Sequence, residues 1–222
     1  MNSYQSNYSN EVHQLIVSVS KHYFITKNGI MKYQKKPFDV RVENLQRSQK
    51  THIVHYVIRD HFSGLFYADL CDSNSLIPIH DFLYRAWQNK LYHPMVGIPI
   101  FMTIPKNTQS LYPNLVQFVE KIGITYIKVT SGFQGGVRDI RTWENELKWC
   151  GVDFANPFGQ QKEATIQQAQ DDMPQMFKRL FESSYNGPTK KDVYLSGIGS
   201  DQKIFVPKSK EDFKKIYMNA SK

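Results

Sequence analysis

The sequence predicts an α/β protein built on a mixed sheet. Three β-rich runs with short connections fall between residues 37 and 72, and from residue 75 onward helix-like and strand-like runs alternate. The chain has 222 residues, 41% hydrophobic and 14% aromatic, enough for one ordinary domain with a sizeable core.

The elements follow in order. Residues 10–24 (NEVHQLIVSVSKHYF) place Val12, Leu15, Ile16, Val19 and Tyr23 at helical spacing, with Ser9 or Asn10 as cap. KNGIMKYQKK, residues 27–36, reads as a basic turn with Asn28-Gly29 at its tip. FDVRVEN alternates, with Phe38, Val40 and Val42 facing one way and Asp39, Arg41 and Glu43 the other, so it reads as a strand. THIVHYVIRD and GLFYADLC are two further strands joined at His61-Phe62-Ser63-Gly64, which completes an antiparallel meander.

A helix over 75–89 follows, then a strand over 98–104, a turn at Pro105-Lys106-Asn107 and a helix over 111–122. ITYIKVT reads as a strand, 136–149 as a helix, and 161–183 as a helix with a break at Asp171-Asp172-Met173-Pro174. A short hairpin is expected around VYLSGIGSDQKIFV, and KSKEDFKKIY reads as a basic last helix. The division expected is an N-terminal helix and basic turn over 1–36, a core over 37–183, and a tail over 184–222. The order β-β-β-α-β-α-β-α is similar to that of the ribonuclease H-like fold, a mixed five-stranded sheet with flanking helices.

Charge and cysteine content narrow the function classes. Formal net charge is +8, and residues 1–50 carry eight Lys/Arg against three acids. Such a chain is attracted to polyanions, though the same charge also serves solubility. Cys71 and Cys150 make no disulfide framework and no CxxC pair, and the seven histidines lack HxxxH spacing. No apolar run reaches the roughly 20 residues of a membrane span, and the polar N-terminus shows no secretory signal, so a cytoplasmic protein, or a nuclear one in a eukaryote, without a membrane partner is expected.

Three stretches carry a resemblance to a family. HIVHYVIRDHFSGLFYADL resembles the second and third strands of retroviral integrases and DDE transposases. GIPIFMTIPKNTQS resembles their Gly-x-Pro, strand and Asp-x-Gly-Ser segment, and KIGITYIKVTSGFQGGVRDIRTWENELK resembles their Gly-Ile strand, loop and Glu-bearing helix. Residues 37–150 are covered.

The family's chemistry implies three carboxylates that hold two Mg²⁺ or Mn²⁺ ions, which activate a nucleophile and stabilise the leaving oxygen of a phosphodiester. The first acid matches Glu43, with Asp39 as the other carboxylate of that strand. The second falls on Pro105, and no shift of register supplies an acid, because residues 82–119 contain no Asp or Glu. The third matches Glu144, with Asp139 as a second candidate; Asp60, Asp69 and Asp72 are acids that could relocate. On the helix, Glu144 is expected opposite a Val137–Ile140–Leu147 stripe, so an exposed Glu–Lys pair is its ordinary alternative.

The resemblance therefore implies a degenerate integrase-like core that binds DNA, with the basic turn 27–36, Lys106, Lys128, Arg138, Arg141 and Lys148 as phosphate contacts and no cofactor unless the site is active. Two alternatives stay open. One is an active Mg²⁺- or Mn²⁺-dependent polynucleotidyl transferase or nuclease with a rearranged triad. The other is an interaction module without nucleic acid, either as a homodimer or within a transposition or integration complex, docking through Tyr84, Trp87, Trp143 or Trp149 unless these are core.

Overall fold

A computed structural model describes residues 6–128, 134–152, 158–159, 163–183, 187–199 and 202–220. Its centre is a long strand, β1 (Val12–Ile25), where the spacing of apolar residues suggested a helix. The two readings diverge because β1 is covered on both faces. Leu15 and Val17 are fully buried and Ile16 nearly so, which erases the alternation that marks a half-exposed strand.

β1 pairs antiparallel with β3 (Thr51–Asp60), from His13 opposite Asp60 to Val19 opposite Val54, and resumes after an irregularity with Phe24 opposite His52. β3 pairs antiparallel with β4 (Phe66–Asp72). On the other edge, the first residues of β1 run parallel to β5 (Phe101–Thr103), which runs parallel to β6 (Thr125–Ile127). At the far end of β1, Tyr23, Phe24 and Ile25 pair with Tyr33, Lys32 and Met31 of β2 (Met31–Tyr33). The protein is thus α/β, with a mixed six-stranded sheet ordered β4-β3-β1-β5-β6 and β2 beside β1.

The β3–β4 hairpin forms as expected. Asp60 Oδ2 accepts from the Ser63 amide at 2.8 Å and from the Ser63 hydroxyl at 2.6 Å, while Gly64 takes φ +69°. FDVRVEN, in contrast, is no strand. Residues 37–41 have no regular structure and Val42–Arg47 forms a 3₁₀ turn. Val42 and Leu45 go into the core, and one backbone bond, Phe38 N–H to Lys21 O at 2.7 Å, ties the segment to β1.

The helices cover the two faces of the sheet. Tyr56, Asp69 and His13 point toward α1 (Ile79–Trp87), against which α7 (Lys210–Met218) packs. His55, Arg59 and Phe66 point the other way, toward α4 (Gln134–Glu146) and α5 (Ile166–Glu182). α2 (Lys106–Leu111) begins directly after Pro105. Pro113, which pushes Tyr112 out of helical backbone, separates it from α3 (Leu115–Lys121).

α5 runs through Pro174 without the expected break, its Met173, Met176, Phe177 and Phe181 packed in the core. The expected tail hairpin does not form. Thr189 and Asp192 make a capping box that starts α6 (Lys190–Ser196), and Tyr194 is buried. Residues 129–130, 161–162, 184–186 and 200–201 of the expected elements lie outside the described residues. No described helix is long and apolar enough to cross a membrane.

Candidate functional site

Along one edge of β1, β5 pairs with Val12–Gln14 and β2 with Tyr23–Ile25, and among the described residues no strand lies beside the stretch between them. Thr108 of α2 plugs part of that gap, its hydroxyl accepting the Val17 amide at 3.3 Å. Beyond it, two neighbouring clefts share Lys21. One of about 520 Å³ is lined by Ser18, Lys21, Asp39, Arg41 and Asn107, among others. The other, of about 450 Å³, is lined by Lys21, His22, Tyr23, Tyr33, Arg141, Glu144 and Lys148, among others.

Glu144 is the polar anchor of this region. Its Oε1 accepts the Ser20 hydroxyl of β1 at 2.5 Å and Nε2–H of His55 on β3 at 3.2 Å. Burial by itself would raise this carboxyl, but hydrogen bonds and charge from His55, and hydrogen bonds from Ser20 and the Lys21 amide, bring it below the ordinary glutamate range. Burial, followed by the Glu144 charge, pushes the Tyr23 phenol up to about 12. Glu144 is therefore not an exposed partner of a surface lysine: its side chain is 12% exposed and faces the sheet. The inward stripe of α4 runs through Asp139 and Trp143, continuing to Leu147, whereas Val137 is exposed.

A two-metal centre does not fit these donors. Ser20 of β1 stands against Glu144, and Pro105, at the position the resemblance gives to the second acid, precedes α2. Among the described residues, no three His, Cys, Asp or Glu side chains come together as a metal site. Glu43 sits in the 3₁₀ turn rather than on a strand, and its side chain lies outside the described residues.

The other acids have structural partners. Asp139 is buried against Arg59 at 2.9 Å, with Lys190 at 3.9 Å; burial raises its carboxyl despite these cations. Asp69 pairs with Arg85 at 2.7 Å on the opposite face of the sheet, Asp60 closes the hairpin, and Asp72 accepts the Asn74 amide.

Of the expected phosphate contacts, Arg141 and Lys148 line the Glu144 cleft. Lys106, Lys128 and Arg138 are exposed outside its lining. Tyr33 brings the expected basic turn 27–36 to the cleft, whereas Lys21 and His22 join it from the polar SKHY ending of an apolar run, a weak sequence signal. Of the aromatic residues considered for docking, Trp87 and Trp143 are fully buried and Trp149 is half exposed.

A second buried polar cluster lies on the α1 face. Trp87 Nε1–H donates to His13 Nδ1 at 3.0 Å, so the ring proton sits on Nε2 and points to Asn10 Oδ1, also at 3.0 Å. Tyr194 of α6 donates to the same Asn10 oxygen at 2.9 Å. Burial lowers His13 to about 4, against the opposing charge of Asp60. Every polar group in this cluster is used inside the protein, which marks it as a structural clasp.

The sequence matches no protein-family model, and no curated protein is significantly similar to it.

Proposed function

We propose that the protein is a ribonuclease H-like relative of integrase and transposase cores that lacks their full set of catalytic acids and binds nucleic acid through the basic cleft beside Glu144. The strand order supports the first part: an antiparallel β4-β3-β1 unit continues into parallel β5 and β6, the arrangement that fold requires. One observation carries the second. Glu144 reaches the central strand as a third acid would, but meets the Ser20 hydroxyl at 2.5 Å instead of a carboxylate.

A carboxylate whose oxygen is already shared by a serine and a histidine holds the helix to the sheet, and Lys21 and Arg141 beside it are placed to meet an external anion. Lys21, Arg141 and Lys148 line the cleft, with Glu144 as the one acid among its described lining residues. Phosphate binding by such a surface releases counterions and weakens with salt.

Fluorescence anisotropy with labelled nucleic acid over a range of salt concentrations tests the binding. Affinity is expected to fall linearly on logarithmic axes, and Arg141→Glu to weaken it and reduce the slope by about one. Binding indifferent to both salt and Arg141→Glu would sink this reading.

A further inference from the structure

Tyr33 is the exposed tyrosine of the cleft, where Tyr23 is buried. It ends β2, is 54% exposed, and stacks against His22 with centroids 5.4 Å apart and planes 24° apart. The buried Tyr23 ring meets it edge-on, also at 5.4 Å. The phenol ring is thus braced from within the protein while more than half of the side chain meets solvent. A third cleft, of about 510 Å³ and lined by Lys32, Tyr33, Lys148 and Glu163, adjoins the Glu144 cleft at Tyr23, Tyr33 and Lys148. Tyr33 therefore stands where two basic clefts join, with Lys32 on one side and Lys21 and Arg141 on the other. The acid beside Lys32, Glu163, is 3.6 Å from its ammonium, and both groups are largely exposed, a pairing too weak to withhold that cation from a phosphate.

We propose that this continuous cleft takes a single-stranded nucleic acid, with a base stacked on Tyr33 and the flanking phosphates held by Lys21, Lys32 and Arg141. The inference rests on the nucleic-acid reading above and adds the strandedness of the ligand. A duplex keeps its bases stacked on one another and offers a protein only their edges and its backbone. A braced aromatic face between cations is matched by an unpaired base. Stacking of this kind tolerates any base, so little sequence preference is expected. The adjoining cleft past Lys21 adds Arg41 and Asn107 along the same path, with Asp39 as its acid.

Anisotropy titrations of wild type, Tyr33→Ala, Tyr33→Phe and Arg141→Glu test this. The probes are labelled oligothymidine, oligouridine, an abasic strand of equal length and a hairpin duplex. Wild type is expected to bind a base-bearing strand more tightly than the duplex or the abasic strand. Tyr33→Ala is expected to lose about five- to a hundredfold on the base-bearing strand and nothing on the abasic one, while Tyr33→Phe retains binding. The DNA and RNA strands are run side by side, and a stacking loss on either assigns that strand as ligand.

Equal binding of duplex and single strand, with Tyr33→Ala unchanged and Arg141→Glu weakening both, overturns the single-strand inference and leaves nucleic-acid binding standing. Failure of every probe to bind at low salt overturns the underlying reading, and this inference with it. Should Tyr33→Ala fail to fold, the comparison of base-bearing and abasic strands on wild type still decides.

Discussion

The Ser20 hydroxyl donates to Glu144 Oε1 at 2.5 Å, and Nε2 of His55 reaches the same oxygen at 3.2 Å. One carboxylate thereby ties α4 to both β1 and β3. Its carboxyl is held below the ordinary glutamate range, so the folded protein keeps it ionised where the unfolded chain takes up a proton. The stability it confers is complete above its ordinary value of 4.5 and is lost as pH falls through the lower folded value. Glu144→Gln is expected to cost about 1–3 kcal/mol at pH 7 and to lose less than wild type on acidification below pH 4.5. Urea unfolding at both pH values measures this, and an unchanged acid sensitivity would count against the role assigned to Glu144.

His13 should make the protein acid-sensitive at a higher pH. Its folded value near 4 lies below the ordinary 6.5, so the unfolded chain binds the proton first and stability declines as pH falls from 6.5 toward 4. The decline due to this residue is about 3 kcal/mol. His13→Gln is expected to be less stable at neutral pH but flatter across that interval. Thermal melts at several pH values in the interval distinguish this from a variant that keeps the wild-type slope.

Asp139→Ala leaves the Arg59 guanidinium, only 13% exposed, without the carboxylate 2.9 Å away. A destabilisation of about 3–5 kcal/mol is expected, as for other buried ion pairs broken from one side. Because Asp139 is given a packing role, nucleic-acid affinity measured on the folded fraction should not change. A large affinity loss with normal stability would reassign the residue to the interface.

Gly97 takes φ +97°, and a Cβ there would run into the Ile204 side chain. Its amide also donates to Trp87 O at 2.9 Å, and the next amide, of Ile98, bonds Phe205 O at 2.7 Å. Gly97→Ala should therefore loosen the 202–206 segment and cost about 1–3 kcal/mol. A midpoint equal to wild type in chemical denaturation would show that this segment contributes nothing to stability.

The hairpin of β3 and β4 was legible in sequence because Asp60, Ser63 and Gly64 carry their own turn chemistry. β1 was not. A strand buried on both faces loses its alternation, and Val12, Leu15, Ile16, Val19 and Tyr23 happen to fit the helical period equally well. Glu144 could be found by its spacing from Pro105, yet its direction could not, since Val137 looks apolar in sequence and lies outside. Lys21, Tyr33 and Arg141 meet only because β1, β2 and α4 converge, and no local pattern encodes that meeting. That residues 82–119 hold no Asp or Glu needed no structure to be seen, but the serine opposite Glu144 did.

Binding without cutting can be read in one incubation. Labelled single-stranded and duplex nucleic acid with Mn²⁺ are incubated with wild type or Glu144→Ala, then resolved on native and denaturing gels. Shifted but intact nucleic acid is expected with wild type at low salt. Mn²⁺-dependent nicking by wild type that Glu144→Ala abolishes would instead establish a working metal centre and refute the assignment of Glu144 as a structural anchor.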